Sequence, residues 1–148
     1  MTTRKRLLTM ALALAALLGF ASSLFAQSGK PPRDPAAIQR KIQRSANLQR
    51  QALEALSEPG EAEKLAKNAW GQLKSAHDDL VMNSSNTRPP DPLLDLSTRK
   101  GYDALQLLQG AVDALGARDR RGDEAIATAR DRLQQSLRIT NTLAATGF

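Results

Sequence analysis

The 148-residue chain contains no cysteine. It therefore cannot carry a lipidated cysteine, a disulfide or a thiolate metal site, and the Cys-x-x-Cys-His motif of covalent haem attachment is missing. The stability of the folded chain must come from the side chains that it buries.

Histidine and aromatic residues are also scarce. His77 is the only histidine, whereas a structural or catalytic metal site needs three or four converging ligands. Met82 follows His77 by five residues on the same predicted helix, so the two cannot hold a haem from opposite sides. The sequence shows no histidine-paired carboxylate motif and no nucleophile with a recognisable base. We therefore predict no cofactor, no metal site and no enzymatic activity.

The chain has no strong excess of one charge when the N-terminal basic residues are left out of the count. The chain has 21 basic and 15 acidic residues, and Arg4, Lys5 and Arg6 precede a long apolar run. Without these three the count is 18 against 15, a net charge of +3. So mild an excess, with few aromatic side chains for base stacking, argues against nucleic acid as a partner.

The apolar run from Leu7 to Ala26 is typical of a signal peptide. Positive residues precede it, and it ends in a small residue just before Gln27. The sequence therefore predicts a signal peptide over residues 1–26 and a periplasmic or secreted protein. Since the run approaches the ~20 residues that span a bilayer, the alternative is an uncleaved inner-membrane anchor with the remaining chain outside the cytoplasm.

Four segments of similar length follow a flexible leader predicted over residues 27–33. Proline, glycine and acidic residues mark their ends. The predicted helices run from Asp34-Pro35 to Ser57, from Glu61 to about Ser84, from Asp91-Pro92 to Leu115 with Gly116 as C-cap, and from Asp123 to about Ala145. Each Asp-Pro pair combines an N-cap acid with proline at the first helical position. A polar loop is predicted over residues 117–122.

Apolar residues recur within the segments at the spacing of an α-helix. The second segment has Ala62, Ala66, Ala69, Leu73, Ala76 and Leu80 at alternating steps of four and three. The corresponding series are Leu94, Thr98, Gly101, Leu105, Leu108, Val112 and Leu115 in the third, and Ile126, Ala129, Leu133, Leu137, Thr140 and Ala144 in the fourth. The first segment places Ile38, Ile42, Ala52, Leu53 and Leu56 on one face.

This pattern predicts an all-α protein. Four amphipathic helices of matched length bury their apolar faces most economically as an antiparallel up-down four-helix bundle, here over residues 34–148. The alternative is a homo-oligomer in which two helical hairpins from each chain form an intermolecular coiled-coil bundle.

Two sets of residues are candidate sites. Trp70, His77 and Val81 form a line at the border of the second apolar stripe, which makes them a candidate pocket edge. The simpler and favoured interpretation is a boundary histidine packed against the indole. The first and fourth segments are net basic and would be neighbours in an up-down bundle. A candidate partner-binding surface therefore contains Arg40, Arg44, Arg50, Arg130 and Arg138.

The leading hypothesis is an exported, non-enzymatic interaction or structural module of the cell envelope. Its partner would be an unknown protein or an anionic envelope component. One alternative is a carrier that holds an apolar ligand or a non-covalent cofactor in the bundle interior. Another is a binder of anionic envelope surfaces that uses the arginine-rich side.

Overall fold

The described part of the chain folds into four long helices and one short one. The computed structural model describes residues 31–146 and residue 148. In it α1 spans Pro35–Glu54, α2 Pro59–Asn86, α3 Pro92–Gly116, α4 Arg118–Arg121 and α5 Asp123–Ala145. The regular secondary structure of these residues is entirely helical, which confirms the all-α class. The predicted signal peptide and residues 27–30 of the predicted leader lie outside the described residues.

Acid-proline pairs begin two of the long helices, as predicted. The Asp34 carboxylate accepts a hydrogen bond from the backbone N–H of Ala36, and the Asp91 carboxylate accepts from Leu93 and Leu94. These bonds satisfy N–H groups that have no partner inside the helix. Proline follows each acid, where its missing N–H is not needed.

The break between the first two helices lies earlier in the chain than predicted. Helix α1 ends at Glu54 rather than Ser57, and α2 begins at Pro59 rather than Glu61. Proline at the first helical position is preorganised by its fixed φ, so Pro59 starts a helix instead of interrupting one. Its ring crowds the preceding residue out of the helical region, and Glu58 has φ −120° and ψ 78°.

The connection after α3 also differs from the prediction. Gly116 is the last residue of α3, and Ala117 is its C-cap. The predicted loop over residues 117–122 contains the single turn α4. The chain changes direction at Gly122, whose φ of +55° lies in the left-handed region that glycine adopts without a Cβ clash.

Each long helix packs against two of the others. Helices α1 and α3 both contact α2 and α5. The six apolar residues predicted for the face of α2 are all buried. Because each helix has one buried stripe and a polar remainder, no helix among the described residues has the length and apolarity needed to cross a bilayer.

The predicted face of α5 is confirmed in part. Ala129, Leu133 and Thr140 are buried, whereas Ile126, Leu137 and Ala144 are only partly buried. Ile126 and Ala144 still pack against buried apolar residues. The remaining buried positions are Ala125, Ser136 and Leu143. The helical period predicts the spacing of the buried residues but not the rotation of the helix about its axis. In α5 that rotation is set by the contacts with α1 and α3.

A buried polar layer lies between two apolar clusters. The clusters centre on Leu73 and Leu108 on one side and on Ile38 and Leu80 on the other. The layer consists of the fully buried side chains of Ser45, Gln49, Ser136 and Thr140.

Hydrogen bonds in the polar layer reach all four long helices. The Ser45 hydroxyl of α1 donates to the Ala69 carbonyl of α2, over 2.8 Å between the oxygens. The Ser136 hydroxyl of α5 donates to the Ala104 carbonyl of α3, over 2.9 Å. Gln49 then joins α1 to α5, since its amide nitrogen donates to the hydroxyls of Ser45 and Thr140.

The carbonyl oxygen of the Gln49 amide is the exception in this layer. It is buried and accepts no hydrogen bond from the described residues. An unsatisfied buried polar atom costs about 1–3 kcal/mol of stability. The Ser45 and Thr140 hydroxyls already donate to backbone carbonyls, so neither would be left as an unpaired donor if Gln49 were replaced.

We expect Gln49→Met to raise the free energy of unfolding by about 1 kcal/mol, because it removes the unsatisfied oxygen and keeps the volume and the helix propensity. The matched variant Gln49→Ala leaves a cavity instead and should lower the free energy of unfolding by about 2 kcal/mol. Urea titrations followed by circular dichroism measure both. A loss of stability in Gln49→Met comparable to that in Gln49→Ala would show that the donated hydrogen bonds outweigh the unpaired oxygen.

Candidate functional site: the groove between helices α2 and α3

The rare ring side chains of the helices converge on one surface groove. Trp70 and His77 of α2 and Tyr102 of α3 line a solvent-open depression of about 200 Å³. The rest of its lining is Lys74, Asp78, Leu105, Gln106 and Gln109. Among these, Leu105 belongs to the buried core, so the depression has an apolar floor and a polar rim.

A second depression of about 230 Å³ adjoins the first. It is lined by Lys67, Trp70, Gln109 and Val112. Since both depressions include Trp70 and Gln109, they form one continuous surface with the indole at their junction. We refer to the lining residues of the two depressions together as the aromatic groove.

The helical repeat explains why these side chains share a groove. Trp70 and His77 are separated by seven residues, as are Tyr102 and Gln109. Seven residues make about two helical turns, so each pair lies on one side of its helix. Helices α2 and α3 contact each other along these sides.

His77 packs between the two helices. Its ring centroid lies 6.2 Å from that of Tyr102, with 45° between the ring planes. A Cβ atom at Gly101 would lie only 3.2 Å from Cδ2 of His77. The glycine therefore provides the space in α3 that lets the imidazole pack against it, and the His77 side chain is only 14% exposed.

Burial lowers the pKa of His77 below its ordinary value of 6.5. The cost of burying the charged imidazolium is the largest cause, and the positive charge of Lys74 acts in the same direction. The Asp78 carboxylate and a hydrogen bond with the Thr98 backbone oppose the shift. The imidazole is therefore neutral at neutral pH.

The lysines of the groove are paired with acids. Lys67 lies 2.8 Å from the Glu63 carboxylate, and Lys74 pairs with Asp78 one turn further along α2. Glu63 also binds Arg118, and hydrogen bonds from Lys67 and then Arg118 lower its pKa. The groove consequently has charged groups but little net charge.

The residues predicted as a pocket edge are partly brought together. Trp70 and His77 line the groove, whereas Val81 is 39% exposed and is not among its lining residues. Sequence reasoning missed Tyr102, Gln106 and Gln109 of α3. The matching seven-residue spacing in the two helices was a usable signal, but only the pairing of α2 with α3 shows that the two sides meet.

The five arginines of the predicted basic surface are all exposed. No ion pair found within residues 31–146 and 148 involves any of them. On α1, Arg44 lies about 40° from Arg40 but about 120° from Arg50 around the helix axis. The three therefore spread over the outer side of α1 instead of forming a line.

The described part of the chain contains no group of three or more histidine, aspartate or glutamate residues arranged to hold a metal ion. The depressions described above open at the surface, while the positions between the helices are filled by buried alanine, leucine and isoleucine side chains.

We expect the protein to lose stability as the pH falls below about 6.5, because the imidazole of the unfolded chain takes up a proton before the buried His77 does. The loss should stop once the pH passes below the lowered pKa of the folded state. Glu63 affects stability in a separate, more acidic range. Because its pKa is lowered in the folded chain, the stabilisation it gives is fully present above pH 4.5, the ordinary pKa of the group. Urea midpoints measured across this range should show the His77 effect, and His77→Gln should remove it. An unchanged pH dependence in His77→Gln would contradict this assignment.

No protein-family model, curated protein or solved structure matches this chain.

Proposed function

We propose that the chain is an exported, non-enzymatic interaction module of the cell envelope, acting in the periplasm or outside the cell, and that it binds its partner through the aromatic groove. One observation supports this most directly. The aromatic and imidazole side chains of the helices, Trp70, His77 and Tyr102, meet in a single groove that is open to solvent. Tryptophan and tyrosine are enriched at the centres of binding surfaces because they provide large contact areas with few rotatable bonds.

The proposed scaffold of the groove is an antiparallel up-down four-helix bundle. Contacts between opposite ends of α2 and α3 support it. Glu63 near the start of α2 lies beside Gly116 at the end of α3, and Ser84 near the end of α2 bonds to Asp95 near the start of α3. The bond between Gln49 and Thr140 joins α1 to α5 within one chain, which favours this arrangement over hairpins that associate between chains.

A photo-reactive benzophenone side chain at position 102 tests the use of the groove. We expect it to form a defined adduct in intact envelopes, detected as a shift in the mass of the recovered protein. Trp70→Ala in the same background should reduce the adduct, because it removes the indole between the two depressions. The matched control places benzophenone at Gln134, an exposed position of α5. Equal labelling at the two positions would count against the groove.

A second candidate function, binding of anionic envelope surfaces, is supported by the unpaired arginines of α1 and α5. Unpaired exposed charges create a longer-ranged field than lysines that are already neutralised by acids. The contact between α1 and α5 places the two sets of arginines on neighbouring helices.

Vesicle sedimentation tests this second function. We expect more protein to bind vesicles with phosphatidylglycerol than vesicles of phosphatidylcholine alone, and a roughly tenfold rise in salt to reduce binding. Arg40→Glu with Arg44→Glu should weaken it. The control Lys64→Glu with Arg99→Glu makes the same change in net charge on α2 and α3. Equal losses in the two double variants would show that only net charge matters.

The carrier alternative would also use the aromatic groove. Its apolar ligand was predicted in the bundle interior beside the alanine-rich face of α2. Those alanines are buried against other helices, so the groove offers the more accessible apolar surface.

A further inference from the structure

The chemistry of the aromatic groove points to one class of ligand. We propose that it binds an uncharged glycan chain, with one sugar ring in each of the two depressions and Trp70 between them. This proposal rests on the proposed function, because it names the ligand of the same site. Three features of the groove support it: the aromatic rings, the side-chain amides and the pairing of each lysine with a carboxylate.

The apolar part of the groove suits sugar rings. A pyranose presents C–H groups on its faces and hydroxyl groups around its edge, so it combines stacking on aromatic rings with hydrogen bonds in the ring plane. Trp70 borders both depressions, and Tyr102 is 54% exposed at the far side of the first. The indole and phenol rings are thus available to two successive sugar units.

The polar part of the groove supplies neutral hydrogen-bonding groups. Gln106 and Gln109 line the first depression, and Gln109 also lines the second. Side-chain amides both donate and accept hydrogen bonds, which matches the two roles of a hydroxyl group. The neutral imidazole of His77 adds one acceptor nitrogen, because its single N–H is engaged by the Thr98 backbone.

The ion pairs of the groove favour an uncharged ligand. Lys67 and Lys74 are each paired with a carboxylate on the same helix. An anionic ligand would have to compete with Glu63 and Asp78 for these ammonium groups, and a cationic one would have to displace the lysines. A ligand without charge leaves both ion pairs in place.

A protein partner fits the same surface less well. Protein-binding hot spots lie in well-packed pockets from which the surrounding contacts exclude water. Here the rim consists of Lys67, Lys74, Asp78, Gln106 and Gln109. The large exposed apolar side chains Val81, Leu93 and Leu96 are not among the residues that line the groove.

The length of the groove indicates a chain rather than a single sugar. Lys67 of the second depression and Asp78 of the first are eleven residues apart on α2, which corresponds to about 16 Å along the helix axis. This distance exceeds the length of a single pyranose ring. A ligand of two or more units would therefore contact both depressions at once, and a monosaccharide would fill only one.

Tryptophan fluorescence of the full chain tests the proposal, because Trp70 is the only tryptophan in the sequence. The probes are chitotetraose, cellotetraose and maltotetraose as neutral chains, tetragalacturonate as a charged chain, and glucose as a monomer. We expect a saturable change in emission with at least one neutral tetrasaccharide, and binding at least tenfold weaker for tetragalacturonate and for glucose. Tyr102→Ala should weaken binding by tenfold or more, while Tyr102→Phe, which keeps the ring, should retain it. Arg138→Ala, outside the groove, should bind normally.

Two results would overturn the glycan proposal. One is the absence of a saturable response to every neutral tetrasaccharide, and the other is unchanged binding in Tyr102→Ala. Neither result affects the photo-crosslinking test at position 102, which reports on groove occupancy whatever the ligand is. A protein adduct at that position together with a negative titration would retain the interaction module and reject the glycan.

Discussion

The register of the four long helices depends on hydrogen bonds from buried side chains to backbone carbonyls. Ser45 reaches the carbonyl of Ala69 and Ser136 reaches that of Ala104, so each bond joins a side chain of one helix to the backbone of a neighbouring helix. A serine side chain is short, and the bond forms only where two helices approach closely. The alanines at the receiving positions allow that approach. Apolar contacts alone tolerate sliding, whereas a buried donor without its acceptor is costly.

This register also determines where the aromatic groove lies. Trp70 follows Ala69 by one residue, which turns it about 100° around the axis of α2. With the carbonyl of Ala69 bonded to α1, the indole packs against the edge of the core, beside α3. Tyr102 follows Gly101, which packs against His77, and so comes to the same groove from the other helix. The polar layer and the groove are therefore two consequences of one set of helix rotations.

Local patterns predicted the helices well but not their rotations. The face of α2 was fully predicted, because its alanines and leucines stand out from charged neighbours. The face of α5 was predicted only in part, because the fully buried residue beside the apolar Leu137 is Ser136, whose burial depends on its hydrogen bond to the Ala104 carbonyl. Gln49 could not be predicted as a buried residue, since one of the two hydroxyls that accept from its amide, that of Thr140, lies on a distant segment. Tyr102 was missed for a similar reason, as its role depends on which helix faces it.

The two proposed binding surfaces differ in how they use charge, and this difference makes them compatible. On α2 the lysines beside Trp70 are neutralised within their own helix, so the groove exerts little force at a distance and depends on contact. On α1 and α5 the arginines have no acidic partner within the described residues, and their field extends over about a Debye length of ~8–10 Å. Salt would therefore weaken attraction to an anionic surface while leaving stacking on Trp70 and Tyr102 nearly unchanged. A protein with both properties could remain near a charged envelope surface through one side and bind a neutral chain through another.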